Sequence, residues 1–412
     1  MCHAVLRYSA LRDPATGELI DRGYVVVFAG PRSYTGEDCA ELHVHGAPVG
    51  IDRVLRACCA LGARVAQPGE FTWRAVLAGK LDLAQAEGLH DLLHAGALAQ
   101  HRAALRHLDG ELSRAIDALR LPLLHALADI EARIDFAAEP HLAAFDTGPL
   151  VAQLAQLVQQ VLVLAGTARA GRVRHQGARV VLAGAPNAGK STLLNALIGR
   201  DRAIVDARPG TTRDTLEVPT AVEGVHVTWI DTAGLRQTDD PIEQQGADRA
   251  RRELLAADVV LWLVDQTLPA SEAVPPLVQP PTERLTVRTK GDCSPHPTVP
   301  AHLLLGDAHQ VSGLTGMGVP GLIHSVADVV RQLALGPRPD QVAVARQRHA
   351  EALLAAAEAL DRAIGVLGGA QPALELGAAD LRDAALALDE LTGPTTPDDV
   401  LAVIFSQFCI GK

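Results

Sequence analysis

Residues Val180 to Ala196 read VVLAGAPNAGKSTLLNA, a G-x-x-x-x-G-K-[ST] run with strand-like residues before it and helix-like residues after it. Gly184 and Gly189 permit a tight backbone path in which the N–H groups of Asn187, Ala188, Gly189, Lys190, Ser191 and Thr192 turn toward phosphate oxygens. The positive end of the following helix faces the same anion. Lys190 is expected to reach the β- and γ-phosphates, and the Ser191 hydroxyl to ligate Mg²⁺. A glycine-rich turn can match this pattern by chance; the flanking strand and helix argue for a phosphate loop.

Four further elements follow in the order that a GTPase needs. Gly210-Thr211-Thr212-Arg213-Asp214 reads as a first switch, with Thr212 completing the Mg²⁺ shell. Trp229-Ile230-Asp231-Thr232-Ala233-Gly234 ends a strand in D-T-A-G; Asp231 would hold Mg²⁺ through water and the Gly234 amide would meet the γ-phosphate. Thr289-Lys290-Gly291-Asp292 resembles the guanine-reading N-K-x-D, with Asp292 accepting from guanine N1 and N2. Val311-Ser312-Gly313 resembles the S-A element behind the base. Each is weak alone, and in this order they indicate a guanine-nucleotide domain.

Three positions depart from a Ras-like site. Thr289 stands where Asn is usual and lacks its amide, so weaker nucleotide binding is expected, with guanine preference kept by Asp292. Leu235 stands where the water-orienting Gln is usual, leaving Asp239, Asp240 and Glu243 as nearby acids. Asn187 has two readings. It is a capping or solvent-facing side chain, or it binds a monovalent cation near the β/γ bridge and helps neutralise transition-state charge.

The 412 residues exceed one ordinary core, so two or three domains are expected. Apolar residues make up 48% and aromatic ones only 3%, which favours helices packed through Ala and Leu. A net charge of −11 excludes a wholly basic nucleic-acid coat, so RNA binding would need a local patch or a partner. Met1–Asp13 lacks the apolar core of a secretory signal. No run of ~18 apolar residues appears, and the best apolar stretch, Leu254–Val264, is interrupted by Asp258, so a cytoplasmic location without a membrane span is expected. The six cysteines form neither a C-x-x-C pair nor a disulfide framework, as suits a reducing cytosol.

Along the chain, residues 1–80 read as α+β. Tyr24–Phe28 and Glu41–Val44 are β-like, Val49–Leu61 has helical spacing, and Gln67–Thr72 is a turn into a helix. Leu81–Phe136 repeats apolar residues at three- and four-residue steps, with Pro122 as a break or kink. A further helix is expected from Leu150 to about Ala170. Residues 176–336 alternate strand and helix, and helical periodicity returns over Gln341–Leu367 and Ala378–Leu391. Thr396–Asp399 looks like a helix start. The fold class expected is a multidomain α+β and α/β chain, with a helical-bundle domain interrupted by an inserted Ras-like P-loop domain. Two separate helical pieces are the alternative.

The chain resembles the tRNA-modifying GTPase family known as MnmE or TrmE. The resemblance rests on Ser33-Tyr-Thr-Gly-Glu-Asp38, Glu41 with His45-Gly46, Pro68-Gly-Glu-Phe-Thr72 and Lys80-Leu-Asp-Leu-Ala-Gln-Ala-Glu87. It rests also on Gly184–Ser191, Gly210–Asp214, Asp231–Arg236 and the terminal Phe408-Cys-Ile-Gly-Lys412, and covers residues 15–412. It implies a folate-type, dimerising N-terminal domain at 1–80, a helical domain in two parts at 81–175 and 337–412, and a G domain at 176–336. Asn187, Asp206, Arg208 and Thr211 fall at K⁺-surrounding positions, and Glu243 at that of the acid that orients water. Glu41, Lys80 and Lys412 fall at folate-contacting positions, for 5-formyl- or 5,10-methylene-tetrahydrofolate. Cys409 would be the thiol beside that site and, with Glu243 and Lys190, a candidate catalytic residue; taken alone it reads as a buried small hydrophobe.

The resemblance implies a K⁺-activated, Mg²⁺-dependent GTPase. It would work as a homodimer, in a heterotetramer with an MnmG (GidA)-type flavoprotein. Together they would add a carboxymethylaminomethyl or aminomethyl group to C5 of the wobble uridine, U34, of tRNA. Family members carry a strand and a Gly/Arg-rich loop ahead of the point where this chain starts, and Met1–Leu11 does not resemble that segment. Either the start is misassigned or the folate domain is incomplete. Two other readings follow: a paralogue that hydrolyses GTP without folate, and a ribosome-assembly-type RNA-associated switch. The terminal Phe408–Lys412 motif argues against the switch.

Overall fold

A computed structural model describes residues 4–135, 146–199, 217–231, 252–269, 283–299, 308–336 and 342–393. The chain forms two compact units. One gathers Met1–His90, Arg106–Val161 and Ala352–Lys412; the other gathers Asp91–Leu105 and Leu162–Glu351.

The first unit opens with a three-stranded antiparallel sheet, β1 (Arg7–Arg12), β2 (Leu19–Phe28) and β3 (Cys39–His43), in that order. The expected strand Tyr24–Phe28 is the C-terminal half of β2, and β1 lies outside the strands expected from the sequence. Helices α1 (Pro48–Ala60), α2 (Glu70–Leu77) and α3 (Leu83–His94) follow. The start of α3 is a reciprocal cap: Gln85 N–H donates to Asp82 at 2.8 Å, and Asp82 N–H donates to the Gln85 side chain at 3.0 Å. After α4 (Leu98–Leu108), α5 (Glu111–Asp135) runs without interruption through Pro122. Pro122 therefore does not end a helix. It removes one N–H, while Leu119 and Leu123 on either side are buried at 6% and 0% exposure and hold the turn in place.

Near the other end of the chain, α10 (Gln347–Leu367) leads to α11 (Leu374–Thr392), which packs on α5. Arg120 pairs with Asp389 and Arg382 with Glu131 at 2.8 Å, so the pairs run in opposite senses along two antiparallel helices.

The second unit is built on a six-stranded sheet in the order β5-β6-β4-β7-β8-β9. Its strands are β4 (Ala178–Gly184), β5 (Glu217–Val222), β6 (Val225–Asp231), β7 (Val259–Asp265), β8 (Glu283–Thr289) and β9 (His309–Gln310). All neighbours are parallel except β5, which lies antiparallel on the edge and tolerates Pro219 there. Every residue of β7 is buried, as a central parallel strand covered on both faces requires. Val180, Leu182, Leu261 and Leu263 face one core together with helices α8 (Lys190–Ile198) and α9 (Val319–Leu335); Val181, Ala183, Val260 and Trp262 belong to a separate cluster. This is a Ras-like α/β arrangement, the fold class expected from the sequence.

The helix expected from Leu150 to about Ala170 is two helices, α6 (Gly148–Ala165) and α7 (Ala168–Gln176). Thr167 sits at the break. Its hydroxyl donates to Leu164 O at 2.6 Å and accepts Val344 N–H at 3.0 Å, a partner 177 residues away. Gly171 is required nearby, because a Cβ there would lie 1.9 Å from Val344 O. Among the described residues, Gly148–Gln176 is also long and apolar enough to cross a membrane by length and composition, with 44% of its most apolar window buried. It is longer than the apolar stretch Leu254–Val264, and Gln153, Gln156, Gln159 and Gln160 interrupt it without adding charge.

Asp258, the residue just before β7, lies against the start of β4 and is 1% exposed. It takes a bidentate pair from Arg172 of α7, with one bond at 3.0 Å, and accepts Arg179 N–H at 2.9 Å.

Candidate nucleotide site

β4, β6, β7 and β8 are parallel, so their C-terminal ends share one edge, and the expected nucleotide residues collect there. β4 stops at Gly184, where any Cβ would meet Leu263 O at 2.8 Å. The loop then turns through Asn187 (φ 58°) and Gly189 (φ 85°), and α8 begins at Lys190. Asn tolerates this left-handed conformation better than most non-glycine residues. The Lys190 ammonium lies inside the loop, donating to Gly184 O at 2.9 Å and Ala185 O at 2.7 Å, and its residue is 8% exposed.

Asp231 is the last residue of β6 and is level with Leu182 of β4. Its carboxylate accepts the Ser191 hydroxyl at 2.7 Å. A hydroxyl and a buried carboxylate form a hard oxygen pair that suits Mg²⁺. Among the described residues, no group of three His, Cys, Asp or Glu side chains is placed to hold a metal. The Mg²⁺ reading therefore rests on the oxygen pair, with phosphate and water filling the remaining positions as Mg²⁺ usually requires.

The side expected to read the base is built from β8 and the loops after β8 and β9. Lys290 has φ 57° and pairs with Asp265 at 2.5 Å. Burial pushes the Asp265 carboxyl up, but Lys290 and Thr267 outweigh it and hold it below the usual carboxylate range. Asp292 is likewise held low, first by the Ser312 hydroxyl and then by its own backbone N–H. The two expected base-side residues, Asp292 and Ser312, are thus in contact. Gly313 packs on the start of α8, where a Cβ would come within 2.9 Å of Leu193 N. Gly189 faces Thr289, whose Cβ lies 3.9 Å from the position a Cβ on Gly189 would take.

Asn187, Ala188, Gly189, Lys190, Ser191, Thr192, Asp231, Thr289, Lys290, Asp292, Ser312 and Gly313 are therefore on one edge of one unit. Asp206, Arg208, Gly210, Thr211, Thr212, Thr232, Ala233, Gly234, Glu243, Cys409 and Lys412 lie outside the described residues. Two buried residues escaped the sequence reading, Asp265 and Gln266, both 0% exposed. Their signal was faint: two polar residues directly after the apolar β7.

Glu41 and Lys80 belong to the first unit. Glu41 is exposed on β3 and pairs with His43 at 3.1 Å. Lys80 passes beneath the Ser33–Asp38 loop, with its Cε 3.5 Å from where a Gly36 Cβ would stand. Beside them Glu70, 7% exposed, accepts two bonds from Arg64 at 2.8 and 2.6 Å, then Gln67 N–H at 2.8 Å and Arg74 at 2.6 Å. Arg64 first, then the Gln67 amide, bring its pKa from 4.5 down to about 2. A carboxylate with a lowered folded-state pKa contributes stability fully above its unfolded value and loses it as pH falls through the folded one. Stability of this unit is expected to drop between about pH 4.5 and 2, and Glu70→Gln to flatten that slope in acid-titrated urea unfolding. An unchanged slope would reject this role.

Family models match almost the whole chain: the MnmE helical domain over residues 83–409, and the GTP-binding protein TrmE N-terminus over residues 3–80. The chain belongs to the MnmE (TrmE) family. The tRNA modification GTPase MnmE of Thermus thermophilus is 44% identical over 402 residues, covering 97% of this chain and 87% of that protein. MnmE of Azorhizobium caulinodans is 44% identical over 411 residues, covering 99% and 90%. MnmE of Dechloromonas aromatica is 41% identical over 415 residues, covering 98% and 91%. Among solved structures, the G domain of the T. maritima FeoB iron transporter is 24% identical with a TM-score of 0.28, covering 37% of this chain and 98% of that one. As an MnmE-family chain it has both family segments in order.

Proposed function

We propose that this chain is a GTP hydrolase of tRNA modification, acting in the cytoplasm on the wobble uridine U34. The observation that carries this is the convergence of Lys190, Ser191, Asp231, Asp292 and Ser312 on one sheet edge, in a chain of the MnmE family. The domain organisation we propose is 1–80, 81–175, 176–336 and 337–412, with the G domain inserted in the helical domain.

In this reading Lys190 releases the loop carbonyls it now holds and turns to the β- and γ-phosphates. Ser191 and Asp231, with Thr212, would hold Mg²⁺, and Asn187, Asp206, Arg208 and Thr211 would hold K⁺. The bound cations supply positive charge against the phosphates. Glu243 orients the attacking water, in the role left open by Leu235. Asp292 and Ser312 select guanine. Glu41, Lys80, Lys412 and Cys409 serve a folate-dependent step, carried out by a homodimer together with an MnmG-type flavoprotein.

GTP turnover is expected to be faster in K⁺ than in Na⁺. Glu243→Ala is expected to abolish hydrolysis while GTP binding stays within about twofold, because water orientation enters only the chemical step. Full turnover by that variant would remove Glu243 from the mechanism, and absence of GTP binding by the unaltered chain would remove the proposal.

A further inference from the structure

Thr289 occupies the position where a guanine-reading loop usually carries an asparagine amide. Its hydroxyl donates instead to Val264 O at 3.3 Å, back along β7, and the side chain is 3% exposed. A neighbouring side chain supplies an amide from the other direction. Gln266, directly after β7, donates through Nε2 to Lys290 O at 3.1 Å and to Cys293 O at 2.7 Å. These two carbonyls bracket Gly291 and Asp292. The Gln266 backbone grips the same region, its N–H reaching Thr289 O at 3.5 Å and its carbonyl accepting His296 N–H at 2.7 Å.

Gln266 is 0% exposed, and its Oε1 has no donor. A buried oxygen left without a partner is unfavourable, so the residue is held there by what its NH₂ group does. The orientation of the amide follows from its partners, because two carbonyls accept only from the nitrogen. The exposed Gln310 adds a bond from Nε2 to Gly291 O at 3.1 Å, but it is open to water, where such bonds contribute less.

We infer that Gln266 is the guanine-specificity positioning residue of this chain: its buried amide fixes the Lys290–Cys293 loop so that Asp292 faces the base, the task left open by Thr289. This rests on the GTP-binding reading above. It also revises the expectation that Thr289 by itself weakens nucleotide binding, because the loop is tied from β7.

The test is binding of fluorescent GDP and IDP to the full chain. Inosine lacks the N2 amine that Asp292 would read, so the GDP/IDP affinity ratio reports the placement of Asp292. Gln266→Ala removes two hydrogen bonds and is expected to weaken GDP binding by about tenfold to a hundredfold and to shrink the GDP/IDP ratio. Adding Thr289→Asn to that variant is expected to restore both. A purely structural role would lower both affinities together, so an unchanged ratio overturns the inference, as does unchanged GDP affinity. If Gln266→Ala fails to fold, Thr289→Asn alone decides. With Gln266 in place it is expected to tighten GDP binding by less than about twofold, since the loop is already tied, and a tenfold gain overturns the inference. An unaltered chain that binds no GDP overturns the functional reading, and this inference with it.

Discussion

Lys190→Ala is expected to weaken GTP binding by at least about a hundredfold. Its ammonium group makes two short bonds inside the phosphate loop, to Gly184 O and Ala185 O, from a residue only 8% exposed. The substitution therefore acts twice. It unties the loop before nucleotide arrives, and it removes the charge that would meet the phosphates. Hydrogen bonds from a charged donor contribute about 1.5–3 kcal/mol each, and the two that Lys190 would make to the β- and γ-phosphates correspond to roughly a hundredfold or more in affinity. Titration calorimetry with a non-hydrolysable GTP analogue measures this directly. Lys190→Arg keeps the charge but not the fit, and is expected to fall between the two. Wild-type affinity in the alanine variant would show that the loop is not the phosphate site.

Asp258→Ala is expected to be the most destabilising single change on the far side of the same sheet. The carboxylate is 1% exposed and joins three elements: α7 through Arg172, β4 through Arg179 N–H, and its own position just before β7. Breaking a buried pair by removing one partner leaves the other charge and a backbone N–H uncompensated. Arg172 is 30% exposed and recovers some hydration, so the loss is expected near the lower end of such cases, about 3 kcal/mol. In a unit of this size that is roughly 6–12 °C in Tm. Asp258→Asn keeps an acceptor for Arg179 N–H and is expected to lose about half as much. Differential scanning calorimetry of the full chain separates the variants, and a shift under one degree for Asp258→Ala would refute the role.

Short-range signals were readable in the sequence. The phosphate loop announced itself because a left-handed turn, a lysine and a helix start must be adjacent in the chain to work at all. The Asp82–Gln85 cap lies within four residues, and β7 reads as an unbroken apolar run because both its faces are covered. Pro122 reads locally as a break or a kink; there is no break, and Leu119 and Leu123 are buried on either side of it.

The order of the G-domain motifs and the alternation of strand and helix were determined by the sequence itself, because each depends on residues only a few positions apart. Only the tertiary structure decided that Thr167 would split one expected helix in two, since the amide its hydroxyl accepts comes from Val344. Only it could pair Arg172 with Asp258, 86 residues on, or set a glutamine after β7 beneath the base-reading loop. Such contacts leave no period or motif in the chain. They arise where the parallel sheet brings strand ends together, and that convergence is what makes one site of segments that the sequence keeps far apart.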